Sequence, residues 1–141
     1  MFLELLNIKS KIYLGIFGDE IDLPDNCWGE NLVPQIKILP LVDLAIIHGG
    51  NNSLTESLYF GKPLIVVPVF ADQNDNAQRV HEKGFGIRLD AFTLKKEQLE
   101  NAIDKLANDE NLKIKLENIS RRIKKDNKSE KLIELIENLV K

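Results

Sequence analysis

Four consecutive apolar residues, Leu64 to Val67, stand between Lys62-Pro63 and Pro68. A strand with no polar position along it has no face to offer to water. It therefore belongs in a sheet covered on both sides, and such sheets are parallel ones, built by strand–helix–strand crossovers. The flanking sequence agrees. A second buried strand is expected at residues 43–47 (DLAII), ended by His48-Gly49-Gly50, and the helix after it runs through Phe60. Gly61 and Pro63 stop that helix, because glycine takes the left-handed position past a helix end and proline cannot continue one. Residues 73–83 form a further helix ending at Gly84, and residues 86–89 a short strand.

Upstream, residues 1–8 read as a helix end and residues 11–17 (KIYLGIF) as a strand. Leu23-Pro24-Asp25-Asn26 is turn chemistry, and residues 31–35 (NLVPQ) read as a short strand entering a loop. After Asp90 the period becomes helical. Leu99, Ala102, Ile103 and Leu106 share one face, as do Leu112, Leu116, Ile119 and Ile123. Leu132, Ile133, Leu135, Ile136, Leu139 and Val140 make a last broad stripe, expected to be a packing surface. The organisation expected is one α/β unit over residues 1–141, with a Rossmann-like parallel sheet flanked by helices in 1–90 and a helical tail in 91–141.

Composition narrows the partners. The formal net charge is −3 and the sequence pI about 5.5, so there is no basic excess to neutralise a nucleic-acid backbone. The basic residues Arg121, Arg122, Lys124 and Lys125 are followed by Asp126, Glu130, Glu134 and Glu137 and read as a solvated helix face. The single cysteine, Cys27, excludes an intrachain disulfide and a site of paired thiolates. Neither a signal peptide nor an apolar run of the roughly 20 residues a membrane helix needs is visible, so a soluble, cytoplasmic chain is expected.

Chemistry concentrates at two strand ends, where open parallel sheets place their ligands. In residues 48–53 (HGGNNS) a strand runs through two glycines into a helix. The glycines permit close backbone approach, and the helix start offers unpaired N–H groups and partial positive charge, a place for a phosphate. His48, Asn52 and Ser53 add side-chain donors. The structural alternative is a capping box, Ser53-x-x-Glu56, with Asn51 or Asn52 as a plain N-cap. At the next strand end, Asp72-Gln73 pairs an acceptor with a donor–acceptor, which suits adjacent sugar hydroxyls and equally suits an N-cap.

The order and spacing of Val33-Pro34-Gln35, His48-Gly49-Gly50-Asn51-Asn52-Ser53-x-x-Glu56, Gly61-x-Pro63, Pro68-x-Phe70-x-Asp72-Gln73 and Asn76-Ala77 resemble the donor-binding signature of the UDP-glycosyltransferase superfamily. The likeness covers nearly the whole chain. It implies the C-terminal half of a GT-B fold, two Rossmann-like domains facing across a cleft, with a UDP-sugar as donor substrate, inversion at the anomeric carbon, no cofactor and no obligatory metal. By resemblance, His48, Gly49 and Gly50 face the diphosphate, Asn52 and Ser53 donate to it, and Glu56 accepts from the ribose. Asp72 and Gln73 hold the sugar, and Gln35 with Val33 lies by the uracil.

No catalytic residue is expected in this chain. The family's base is a histidine of the N-terminal, acceptor-binding domain, which would act in cis or as a partner chain. Two departures stand out: Leu32 occupies the position of a tryptophan in the plant members, and the domain's first strand with its Gly-Ser loop is not found. Three roles are compatible with these residues: a donor-binding domain inactive alone, one subunit of a split transferase, or a non-catalytic remnant serving as an interaction module.

Overall fold

The computed structural model describes the backbone of residues 12–14 and 27–29, and residues 34–126, 133 and 136–139 with their side chains. The expected helix end at 1–8, the turn at 23–26, and Leu32 and Val33 lie outside the described residues.

Every strand pairing among the described residues is parallel. Strands β1 (Ile12–Leu14) and β2 (Cys27–Gly29) pair with each other, Tyr13 opposite Trp28. Strands β3 (Ala45–Ile47), β4 (Leu64–Val66) and β5 (Gly86–Arg88) form a three-stranded sheet with β4 in the middle. Ile65 stands opposite Ile46 on one side and Ile87 on the other. The apolar run thus occupies the covered position its composition requires: Leu64, Ile65 and Val66 are all 0% exposed.

Alternation along β4 divides the core in two, because successive side chains of a strand point to opposite faces. Leu64 and Val66 pack with Ala77 and Val80 of helix α3 (Gln73–Glu82). Ile65 packs with Leu99, Ala102 and Leu106 of α4 (Lys96–Ala107) and with Leu112 and Leu116 of α5 (Glu110–Lys125). The helical stripes read from the sequence are the faces that meet here. Fully burying one such side chain contributes about 1.5–3 kcal/mol, so β4 and its covering helices are the rigid base for whatever its ends carry.

Helix α2 (Asn51–Tyr59) is clamped to α5. The Ser120 hydroxyl donates to the Tyr59 carbonyl, and Lys124 Nζ lies 4.9 Å from the centre of the Tyr59 ring. Gly61, with φ 67, ends the helix as expected.

Three expectations need correction. Residues 31–35 do not enter a loop as a strand at their described end. Gln35 instead opens a helical turn, α1 (Gln35–Ile38), followed by a 3-10 turn at Leu39–Leu41. Pro34 cannot donate, but its carbonyl accepts from both Lys37 N and Ile38 N, and that winds the chain. The strand at 43–47 is not fully buried, since Ile46 is 46% exposed: β3 stands at the edge of the described sheet. The last apolar stripe is open where it is described. Ile133, Ile136 and Leu139 are 56%, 51% and 85% exposed, the sheet face being already covered by α4 and α5.

Candidate functional site

Parallel strands deliver their carboxyl ends to one edge of a sheet, so the loops after β3, β4 and β5 are neighbours. The β3 loop is His48-Gly49-Gly50. Gly49 has φ 94, and a Cβ there would lie 2.9 Å from Val66 Cγ1 and 3.1 Å from the Gln73 carbonyl oxygen. Only glycine fits that conformation at that distance. A Cβ on Gly50 would lie 2.6 Å from His48 Nε2, so the exposed His48 ring rests against the turn at the mouth of α2.

Helix α2 starts without a side-chain cap. Its N-cap is Gly50, whose carbonyl accepts from Leu54 N at 3.0 Å. Asn51, Asn52 and Ser53 are its first three helical residues, and no acidic side chain lies in that turn. The alternatives are thereby excluded: Asn51 and Asn52 are inside the helix, and Ser53 sits too deep to form a capping box with Glu56. The amides of the first turn, with the partial positive charge of about half a unit that a helix end carries, are left facing outward.

Glu56 lies one turn beyond Asn52 on the same helix face. It is half-buried. One of its oxygens accepts from Gln35 Nε2 at 2.6 Å. A cleft of about 590 Å³ opens between α1 and α2, lined by Pro34, Gln35, Ile36, Lys37, Asn52, Ser53 and Glu56. Four of the expected site residues, Gln35, Asn52, Ser53 and Glu56, therefore share one cavity.

The β4 loop is built differently. It passes through exposed Val69 and Phe70 and through Ala71, at φ 53 the non-glycine residue with a left-handed backbone among those described. Gln73 is 5% exposed, and its Oε1 accepts from Val69 N at 2.9 Å and Phe70 N at 3.2 Å. That oxygen is engaged in closing the loop. Asp72 stands at the N-cap of α3 but makes no side-chain cap bond, so the structural alternative for it falls away. Its carboxylate is exposed and accepts from Asn76 Nδ2 at 3.3 Å.

The β5 loop offers little. Asp90 accepts from Phe92 N at 2.9 Å, and the hydrogen bonds from the Phe92 amide and the Thr93 side chain hold its carboxyl below the usual carboxylate range. A second groove, of about 350 Å³, lies at the opposite edge of the sheet, where β5 begins. Of the two lysines that line it, Lys115 is already bonded to the carbonyls of Lys83 and Gly84.

Three residues at the strand-end site carried no assignment from the sequence. Lys37 lines the cleft, Ala71 shapes the approach to Asp72, and Asn76 joins the β3 and β4 loops. Asn76 was within reach, because it lies four residues after Asp72 on one helix and so on the same face. Val33 is outside the described residues. Among those residues no three His, Cys, Asp or Glu side chains gather as metal ligands, and no helix is long and apolar enough to cross a membrane.

The arrangement can receive a doubly charged phosphate at the α2 start, a vicinal diol on Glu56 and a polar ring edge near Gln35. Known proteins offer an independent comparison. Residues 23–134 match the family model described as UDP-glucoronosyl and UDP-glucosyl transferase. The chain is 32% identical over 120 residues to the NDP-glycosyltransferase YjiC of Bacillus subtilis (strain 168), covering 85% of this chain and 31% of that protein. It is 38% identical over 91 residues to human UDP-glucuronosyltransferase 1A9, covering 63% of this chain and 17% of that one. Among solved structures, the glycotransferase of kitacinnamycin superposes with a TM-score of 0.81 at 25% identity, over 92% of this chain and 43% of that one. The spinosyn forosaminyltransferase SpnP superposes with a TM-score of 0.87 at 20% identity, over 99% and 37%, and shows the fold alone. These neighbours are GT-B glycosyltransferases.

Proposed function

This chain belongs to the UDP-glucoronosyl and UDP-glucosyl transferase family, and from that premise we propose that it is the half of a GT-B glycosyltransferase that holds the UDP-sugar donor. The chain spans about a third of YjiC and less of the human relative. Transfer is therefore assigned to this half together with an acceptor-binding half, in cis or as a partner chain.

In this reading the diphosphate sits on the uncapped start of α2, against Gly50, Asn52 and Ser53, with His48 beside it. The ribose hydroxyls bond to Glu56, of whose two carboxylate oxygens Gln35 engages one. Gln35 and Val33 border the uracil. Asp72 faces the sugar hydroxyls, with Gln73 behind it. The reaction is displacement at the anomeric carbon with inversion. The acceptor oxygen forms the new bond, the bond to the β-phosphate oxygen breaks, and UDP leaves with the electron pair. Negative charge grows on that phosphate as the bond breaks, and amides already pointing at it stabilise the transition state without reorganising. A base in the other half takes the acceptor's proton.

The observation that carries this reading is a helix start with no cap of its own and a carboxylate one turn deeper in the same cleft. Glu56→Ala tests it. Loss of charge-assisted bonds to the ribose should weaken UDP binding about 10- to 100-fold with little change in melting temperature, because Glu56 supports no part of the core. Unchanged UDP affinity with a lowered melting temperature would identify Glu56 as a structural residue and remove the reading, leaving the non-catalytic interaction module in its place.

A further inference from the structure

The β3 and β4 loops come from different strands, yet one side chain joins them. Asn76 Nδ2 lies 2.9 Å from the Gly49 carbonyl oxygen, 3.3 Å from Asn51 Oδ1 and 3.3 Å from Asp72 Oδ2. An amide NH2 has two hydrogens for these three acceptors. The short bond to Gly49 takes one, and Asn51 and Asp72 share the other. We infer that Asn76 is a positioning residue for the donor: it fixes the phosphate-side turn through Gly49 and the sugar-side carboxylate through Asp72, and so couples the two ends of a nucleotide sugar. This rests on the donor-binding reading above.

The chemistry of the contact supports the role. All three partners are acceptors, so the position calls for a side chain with more than one N–H to donate, and the Asn76 amide has two. Asn76 is half-buried on α3, whose Ala77 and Val80 are locked beneath β4, so the amide is held from behind by the core. Gly49 is itself buried in a left-handed backbone, with no space for a Cβ beside Val66 and Gln73, so its carbonyl is presented to Asn76 from a closely packed turn. Asp72 has no side-chain cap bond to hold it, and among the described residues the hydrogen bond from Asn76 is the one that aims its carboxylate. A ligand that shifts Asn51 at the phosphate end redistributes the shared hydrogen and is felt at Asp72.

The test is a titration followed by amide resonances, using UDP and UDP-glucose as probes. In the unsubstituted protein the Asn76 side-chain amide resonances should move with UDP. The backbone amides of Asp72 and Gln73 should respond to UDP as well, although UDP carries no sugar. In Asn76→Ala, UDP should still shift Asn51 to Ser53, the response at Asp72 and Gln73 should vanish, and the affinity gained by UDP-glucose over UDP should fall about tenfold. Asn76→Asp keeps the shape but sets a carboxylate against three acceptors, and should bind UDP-glucose more weakly than Asn76→Ala at neutral pH.

A melting-temperature loss alone does not produce this split between the two ligands. If the side-chain resonances of Asn76 stay still while Asn51 to Ser53 move, or if Asn76→Ala keeps its response at Asp72, the coupling is wrong and the donor-binding reading stands. If UDP at millimolar concentration leaves Asn51 to Ser53 of the unsubstituted protein unmoved, both fall together.

Discussion

The loops after β3 and β4 sit side by side on one sheet edge and are both rich in polar residues, but they use that polarity in opposite directions. After β3, no side chain of the loop itself closes the turn: Gly49 supplies the conformation and Gly50 the cap, Asn76 of α3 holds the Gly49 carbonyl from outside, and Asn52, Ser53 and the first-turn amides are left outward. After β4, a side chain closes the turn: Gln73 Oε1 accepts from the amides of Val69 and Phe70, and Asp72 is the polar side chain that this loop leaves exposed. A loop closed by its own backbone frees its side chains for a ligand. One closed by a side chain gives up that side chain's acceptor.

The largest effect should come from the glycine that makes the first loop possible. Gly49→Ala places a Cβ 2.9 Å from Val66 Cγ1 in a left-handed backbone. It should destabilise the fold by about 2–4 kcal/mol, read by urea denaturation. A loss below about 0.5 kcal/mol would show that the turn can relax away from β4, and backbone closure would lose its meaning.

Next, Gln73→Ala strips two amides of their acceptor and should cost about 2–3 kcal/mol of stability. Its neighbour sharpens the contrast: Asp72→Ala should leave stability within about 0.5 kcal/mol while weakening UDP-glucose about tenfold and UDP hardly at all. Equal stability losses for the two variants would break the distinction between a residue that builds the loop and one that faces outward. The smallest effect is expected at Ala71. Glycine there relieves the left-handed strain at φ 53 and should stabilise the protein by up to about 1 kcal/mol, visible as a small rise in melting temperature. A fall would mean that the backbone freedom gained in the unfolded chain outweighs the strain.

The sequence was most legible where a physical demand admits one solution. Four apolar residues between prolines can only be a covered strand, and β4 is one. The stripes of α4 and α5 have the period of the faces they bury, and Gly61 and Gly84 end their helices because both take positive φ. Legibility fell where one pattern serves two structures. Ser53-x-x-Glu56 fits a capping box and a ligand face equally, and only the position of the N-cap at Gly50 separates them. Asp72 and Gln73 read as a matched pair, yet three-dimensional packing turns one inward and leaves the other out. The helical turn at Gln35 depends on what the Pro34 carbonyl accepts, which local propensity does not encode. Asn76 bridges 27 residues to Gly49, and no pattern within one element reports such a contact.

The start of α2 is the point on which the donor assignment turns, and isotope-labelled protein titrated with UDP addresses it directly. The amides of Asn51, Asn52 and Ser53 should shift first and furthest, in the direction of stronger hydrogen bonding. Shifts confined to the groove lined by Lys105 and Lys115 at the opposite sheet edge, with those three amides still, would contradict it.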